Sequence, residues 1–217
     1  MLTVLLTRHG HTDRSEPEQY LGQRVTAQLS DRGRADAQRL AERLVGVQLD
    51  RVVSSPLGRA ADTAAILAGR VAVETDARLA ELDYGSWEGL TVEEIERRFP
   101  AEYERYEADP ATHHIGGGES GEDVAQRLAT FMGDLLAWSE AEAEAADRTC
   151  LLVGHSSVNR VLLAMLLDVP LRDYRRRFRS DWASLTVLRW ADRRAGPMLL
   201  LANDVAHVQG LRGATWD

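Results

Sequence analysis

Arg8-His9-Gly10 closes an apolar run, Leu2-Thr3-Val4-Leu5-Leu6-Thr7. A guanidinium beside an imidazole, just past a strand, is equipment for seizing an anion and attacking it. The arginine fork matches phosphate oxygens, and histidine can form covalent intermediates. Further segments supply matching groups. Ser54-Ser55-Pro56-Leu57-Gly58-Arg59-Ala60 brings a second cation, Glu81-Leu82-Asp83-Tyr84-Gly85 brings carboxylates, and Val153-Gly154-His155-Ser156 brings a second imidazole. Cleaving a phosphate monoester takes charge neutralisation, an in-line nucleophile and a proton for the departing oxygen. Arg8 and Arg59 are the natural clamp, and Ser156, heading a helix, can add backbone amides to the same pocket.

These motifs need elements to deliver them. Residues 2–7, 50–54 and 149–153 read as buried strands, Val- and Leu-rich and bounded by turn or polar residues; 71–74, 184–190 and 197–202 are weaker candidates. Ser30 precedes a helical pattern through Ala37, Leu40, Ala41 and Leu44, and Arg59 to Leu67 forms another. Ser120 can cap a third, with Glu122 and Asp123 in its first turn and Val124, Leu128, Phe131 and Leu135 on one face. Ser156 or Ser157 opens a fourth. Alternating strands and helices predict an α/β fold, a mostly parallel sheet between two helical layers. In such sheets ligands collect beyond the carboxyl ends of strands, where Arg8-His9, Ser54-Ser55 and Gly154-His155 all fall. Residues 90–146 are expected to form a helical cap or lid that sets specificity, within a single domain over 1–217. Glu140 to Asp147 reads as a solvated helix end.

Composition narrows the chemistry. Among 217 residues the formal charge is −8, from 26 basic and 34 acidic side chains, which argues against a general nucleic-acid binder. Every basic residue is arginine. That excludes lysine Schiff bases, lysine-linked pyridoxal phosphate and the lysine-dependent phosphate loop. The single cysteine, Cys150, opens an apolar run and lacks an arginine six positions on, where Ser156 stands. It is expected in the core, in a reducing compartment. No apolar stretch approaches the ~20 residues of a membrane helix. The expected location is cytoplasmic, with no membrane partner and a small phosphorylated metabolite as ligand.

With Trp87-Glu88-Gly89 added, the motifs resemble those of the histidine phosphatase superfamily, the phosphoglycerate mutase-like fold, in the family's order and over nearly the whole chain. The resemblance implies that His9 is the nucleophile, that His155 hydrogen-bonds the transferred phosphoryl group, and that Glu81 is the proton donor. Asp83 and Glu88 are the neighbouring carboxylates that could serve instead. Thr12, Ser15, Gly22 and Gln23 join Arg8, Arg59, His155 and Ser156 as phosphate- or substrate-binding candidates. The implied activity is a phosphomonoesterase of histidine acid phosphatase type, without metal or cofactor, and a homodimer follows from the resemblance alone. Gly116-Gly117-Gly118-Glu119-Ser120 resembles the family's Gly-Glu-Ser loop, as helix cap or active-site wall. Asn203-Asp204-Val205-Ala206-His207 resembles its C-terminal end, in a structural capacity.

The sequence departs from the family pattern in two places: Ser15 stands where Asn is frequent, and His11 where Glu or Gln is usual. Leu82-Asp83 puts an acid where mutases carry basic residues for a phosphoglycerate carboxylate, which favours a phosphatase over mutase-type phosphoryl transfer. Two other classes can be drawn from the residues. His9 and His11, with Asp83, His113, His114, His155 and Asp204, could form a binuclear metal site, which leaves Arg8 and Arg59 unexplained. A non-catalytic phosphate-ester binding module would keep the fold without turnover.

Overall fold

A computed structural model of the chain describes residues 1–141, 147–192 and 196–209. Its sheet has six strands: β1 (Leu2–Arg8), β2 (Arg51–Ser54), β3 (Val73–Thr75), β4 (Arg148–Gly154), β5 (Leu185–Trp190) and β6 (Met198–Asp204). Their order is β3-β2-β4-β1-β5-β6. Neighbours from β3 to β1 are parallel, and β5 pairs antiparallel with both β1 and β6. The sheet is therefore mostly parallel, as the alternating pattern predicts.

Side-chain alternation along the central strands sorts residues to two faces. Val4, Leu6, Val53, Cys150 and Leu152 turn toward one core. Leu5, Val52, Leu151 and Val153 turn toward the other. Helices α1 (Asp31–Arg43) and α2 (Gly58–Leu67) cover the second face through Leu40, Ala60, Ala64 and Leu67. The first face lies under α5 (Gly121–Glu140) and α6 (Ser156–Leu166), with α3 (Val92–Arg98), α4 (Pro100–Ala108) and α7 (Tyr174–Arg177) packed around them. A short α8 (Ala206–Gln209) ends the described chain.

Caps fix where these helices begin. Ser30 accepts from Gly33 N–H ahead of α1, and Ser120 forms a reciprocal capping box with Asp123 ahead of α5. The sequence places both helices at those serines. The expected role of α5 changes, however: Val124, Leu128, Phe131 and Leu135 belong to the sheet-covering core, so this helix is a layer of the sandwich. The acidic stretch after Glu140 lies largely outside the described residues.

Register aligns the strand ends. Arg8 pairs with Gly154 across β1 and β4, and Ser54 with Val153 across β2 and β4. The residues that follow each strand therefore emerge at one edge.

Candidate active site

His9 follows β1 directly and is 3% exposed. Its backbone N–H donates to Gly154 O (3.0 Å), which continues the β1–β4 ladder by one bond. Nδ1 lies 2.7 Å from Gly10 O. A carbonyl only accepts, so this bond assigns the proton to Nδ1 and leaves Nε2 with its lone pair. Burial, then the charges of Arg8 and Arg59, hold the His9 imidazole well below the usual histidine range, against the opposing effect of the Gly10 bond. His9 is thus neutral at pH 7. The glycine is required by close approach: a Cβ on Gly10 would stand 2.6 Å from Gly33 O in the first turn of α1.

His155 is the N-cap of α6, fully buried, with its ring centroid 5.1 Å from that of His9. Nε2 lies 2.7 Å from Ser55 Oγ, which also accepts from Leu57 N–H (3.2 Å). A serine hydroxyl that donates to Nε2 would leave the ring proton on Nδ1, a buried nitrogen with no partner among the described residues. Burial first, then Arg59, His9 and Arg8, keep His155 neutral as well.

Two guanidiniums flank the imidazoles. Arg59, in the first turn of α2 and 2% exposed, donates from Nη2 to Gly22 O (2.7 Å), while its Nε is buried without a partner. Arg8 donates to Ser180 O and Glu18 Oε1 (both 2.9 Å) and lies 4.9 Å over the Trp182 ring. Glu81 is 6% exposed. Its carboxylate accepts from Leu82 N–H (2.9 Å) and from Ser157 and Val158 N–H at the start of α6 (both 3.2 Å). The helix N-terminus thus aims this carboxylate.

Arg8, His9, Arg59, Glu81 and Ser156 line one cavity of about 400 Å³. His155 lies behind that lining, beside His9. The other binding candidates sit elsewhere. Thr12 and Ser15 bond each other within their loop (3.0 Å), away from the cavity wall. Gly22 serves through its carbonyl to Arg59. Gln23 donates from Nε2 to Glu81 O (2.8 Å) and Glu119 Oε2 (3.1 Å), which places it behind the carboxylate. Of the expected lid, only Val92 reaches the cavity; its walls come instead from residues 18–21, 156–160 and 175–182.

Several residues that the sequence marks take positioning contacts it does not disclose. Glu88 accepts from the N–H groups of Gln23, Arg24 and Val25 and so fixes the loop whose Gly22 holds Arg59. Glu119 accepts from Asp83 N–H (3.0 Å), Gln23 and Arg127, clamping the segment that carries Glu81. The Gly116–Ser120 loop therefore ends in a cap and delivers a brace; Ser120 itself is not in the wall. Trp87 is fully buried and donates to Glu102 (3.0 Å), which anchors its loop. Asn203 holds Asp181 through both its amide atoms, and His207 bonds Ala183 O, so the C-terminal motif steadies the wall around Trp182. Asp83, the rival acid, bonds Arg24 and Gly85 outside the cavity.

The ligands of the alternative metal site are dispersed. His11 bonds Ser30 and Glu16, His114 bonds Asp123, and Asp204 bonds Arg43. Among the described residues no group of three His, Cys, Asp or Glu side chains gathers to hold an ion.

A model of the histidine phosphatase superfamily (branch 1) matches residues 4–204. The chain belongs to this superfamily. Phosphoserine phosphatase 1 of Hydrogenobacter thermophilus is 30% identical over 210 residues, 96% of this chain and 95% of the relative. Glucosyl-3-phosphoglycerate phosphatase of Mycobacterium tuberculosis is 38% identical over 176 residues, 79% and 78% of the two chains. Among solved structures, Bacillus stearothermophilus YhfR superposes with a TM-score of 0.85 at 30% identity, covering 96% of this chain and all of that one. The mycobacterial glucosyl-3-phosphoglycerate phosphatase complexed with VO3 gives 0.82 at 33% identity, covering 93% and 98%. Phosphatases among the superfamily relatives support phosphoester hydrolysis. No helix among the described residues is long and apolar enough to cross a membrane.

Proposed function

We propose that this superfamily member hydrolyses small phosphomonoesters through a phosphohistidine on His9, without a metal. The observation that carries this is the neutral His9: Nδ1 is tied to Gly10 O, so the free Nε2 shares a cavity with Arg8, Arg59 and Glu81. A protonated imidazole could not attack.

In the first step His9 Nε2 forms a bond to phosphorus as the ester P–O bond breaks in line. The departing alkoxide takes a proton from the Glu81 carboxyl group. Arg8 and Arg59 neutralise the equatorial oxygens, and His155 Nδ1–H adds a donor that needs no charge. In the second step the Glu81 carboxylate removes a proton from water. The water oxygen bonds to phosphorus, the N–P bond breaks, and inorganic phosphate leaves with His9 restored. Glu81 thus ends each cycle as it began, a carboxyl acid.

The test is phosphate release from a panel of monoesters in excess EDTA, with phosphoserine and glucosyl-3-phosphoglycerate included because relatives are named for them. Native protein should turn over at least one ester, and His9→Ala should abolish both turnover and acid-labile labelling. Full activity in His9→Ala would refute the mechanism, and loss of activity to EDTA would replace it with a metal-dependent one.

A further inference from the structure

Arg8 is asked to neutralise a phosphoryl group, yet its own charge is already met. Nη2 donates to Glu18 Oε1 at 2.9 Å, and Glu18 is the one carboxylate within ion-pair distance of Arg8 among the described residues. Both side chains line the cavity. A phosphate monoester carries close to two negative charges at pH 7. Entering beside a carboxylate on the same guanidinium, it meets like charge at close range and a cation whose charge is already matched. One of the two anions has to give way.

Burial and bonding decide which partner moves. Arg8 is seated: its side chain is 12% exposed, Nη1 donates to Ser180 O at 2.9 Å, and the guanidinium lies 4.9 Å from the Trp182 ring centroid. Glu18 is 59% exposed, and its carboxylate has no second partner among the described residues. Swinging Glu18 toward solvent therefore breaks one exposed ion pair and leaves Arg8 in place, with Nη2 turned over to the phosphoryl oxygens. Glu16, two residues earlier, is equally exposed to solvent but pairs with His11 and Arg32 and stays out of the cavity wall.

We propose that Glu18 is an internal competitor for the phosphate subsite. Its carboxylate holds Arg8 until a phosphoryl group displaces it, and takes Arg8 back as inorganic phosphate leaves. This rests on the phosphomonoesterase reading. Substrate and product must both displace the same tethered carboxylate, so it weakens their binding by the same factor. Product inhibition is thereby limited at some loss of substrate affinity. Glu18 touches no reacting atom; it acts through Arg8.

The experiment compares native protein with Glu18→Gln, Glu18→Asp and Glu16→Gln. The first removes the charge at constant size, the second keeps the charge and shortens its reach, and the third removes a neighbouring charge that does not touch Arg8. Binding of inorganic phosphate is measured by calorimetry, and its competitive Ki is measured against p-nitrophenyl phosphate. Glu18→Gln should tighten phosphate binding by roughly 3- to 10-fold in both measurements, the scale of one exposed ion pair together with relief of the repulsion. Glu18→Asp should gain part of that. Glu16→Gln changes the net charge equally and should shift the affinity by less than about 2-fold, because screened surface charges act weakly. Unchanged or weaker phosphate binding in Glu18→Gln overturns the proposal and makes Glu18 a support that orients Arg8. An equal gain in Glu16→Gln overturns it too, by reducing the effect to overall charge. Turnover of p-nitrophenyl phosphate reports separately on the phosphatase reading. Calorimetry needs no turnover, so it decides the role of Glu18 even where that reading fails.

Discussion

Mild acid should unfold this protein more readily, by an amount the two buried imidazoles set. In the folded chain His9 and His155 are held well below the ordinary histidine range, burial being the largest cause for each and neighbouring arginines the next. In the unfolded chain both return to about 6.5. As pH falls through 6.5 the unfolded state therefore takes up protons that the folded state refuses. Stability rises with pH wherever the unfolded state binds more protons, so it falls here on acidification. The contribution is fully present above 6.5 and is lost progressively below it, until the folded pKa values are reached. Integrating the linkage from pH 6.5 to 5.5 gives roughly 1 kcal/mol for each histidine and roughly 2 kcal/mol for the pair. That is a sizeable part of a typical 5–15 kcal/mol.

Other groups do not obscure the effect. Asp76, Asp123 and Asp204 are held low by their hydrogen bonds, so their contribution, of the same sign, is lost only below about pH 4. His207 is also lowered, chiefly by burial, and adds a smaller loss in the same window. The assay is urea unfolding at pH 7.5, 6.5 and 5.5 for native protein and for His9→Asn with His155→Asn. Native protein should lose the larger amount between 6.5 and 5.5, and the double variant should lose about 2 kcal/mol less. Flat stability across the range, or equal losses in both proteins, would mean that the imidazoles are not held neutral. The neutral nucleophile on which the proposed chemistry depends would go with them.

Replacing Glu81 by Gln should lower kcat for alkyl phosphates by ~10²–10⁴-fold and for aryl phosphates much less, since a phenolate leaves with little protonation. Equal losses on both substrates would move the acid elsewhere. Replacing Glu119 by Gln should lower kcat on alkyl phosphates by roughly 10- to 100-fold with KM little changed, because it loosens the backbone behind Glu81. In a Glu81→Gln background the same change should cost almost nothing, and additive losses would assign Glu119 a separate role.

What the sequence discloses here is what local chemistry determines. Residues 149–153 read as a buried strand because a Val- and Leu-rich run needs no knowledge of its neighbours. Ser30 and Ser120 marked helix starts because a cap is satisfied within four residues. The convergence of Arg8, Ser55 and His155 followed from a general property of parallel sheets, and the register confirms it. The packing of α5 was illegible for an opposite reason. Val124, Leu128, Phe131 and Leu135 make one apolar stripe whether a helix covers a sheet or a site, and only the tertiary contacts decide. The bracing roles of Glu88 and Glu119 were invisible because their partners lie far away in the chain, 63 to 65 residues for Glu88 and 36 for the Glu119 bond to Asp83. A charged residue on a helix or loop carries no local sign of a distant partner, or of its lack.

Under the proposed mechanism, the electrostatics of the site explain why its histidines must be neutral as well as why they are. The chain as a whole carries a charge of −8, which repels an anionic ester, so capture depends on the cavity's own guanidiniums. Those same charges would be prohibitive beside two imidazolium ions in a buried volume, and burial together with Arg8 and Arg59 drives both rings to the neutral form. In that mechanism, attraction of the phosphate and part of the nucleophile's readiness share one source, the guanidiniums, while burial contributes most to the neutral imidazoles. Weakening the clamp, for example by removing Arg59, costs phosphate affinity and at the same time relaxes the constraint that keeps His9 Nε2 free to attack. Affinity and nucleophilicity are coupled through one cation, so neither can be tuned at that position alone.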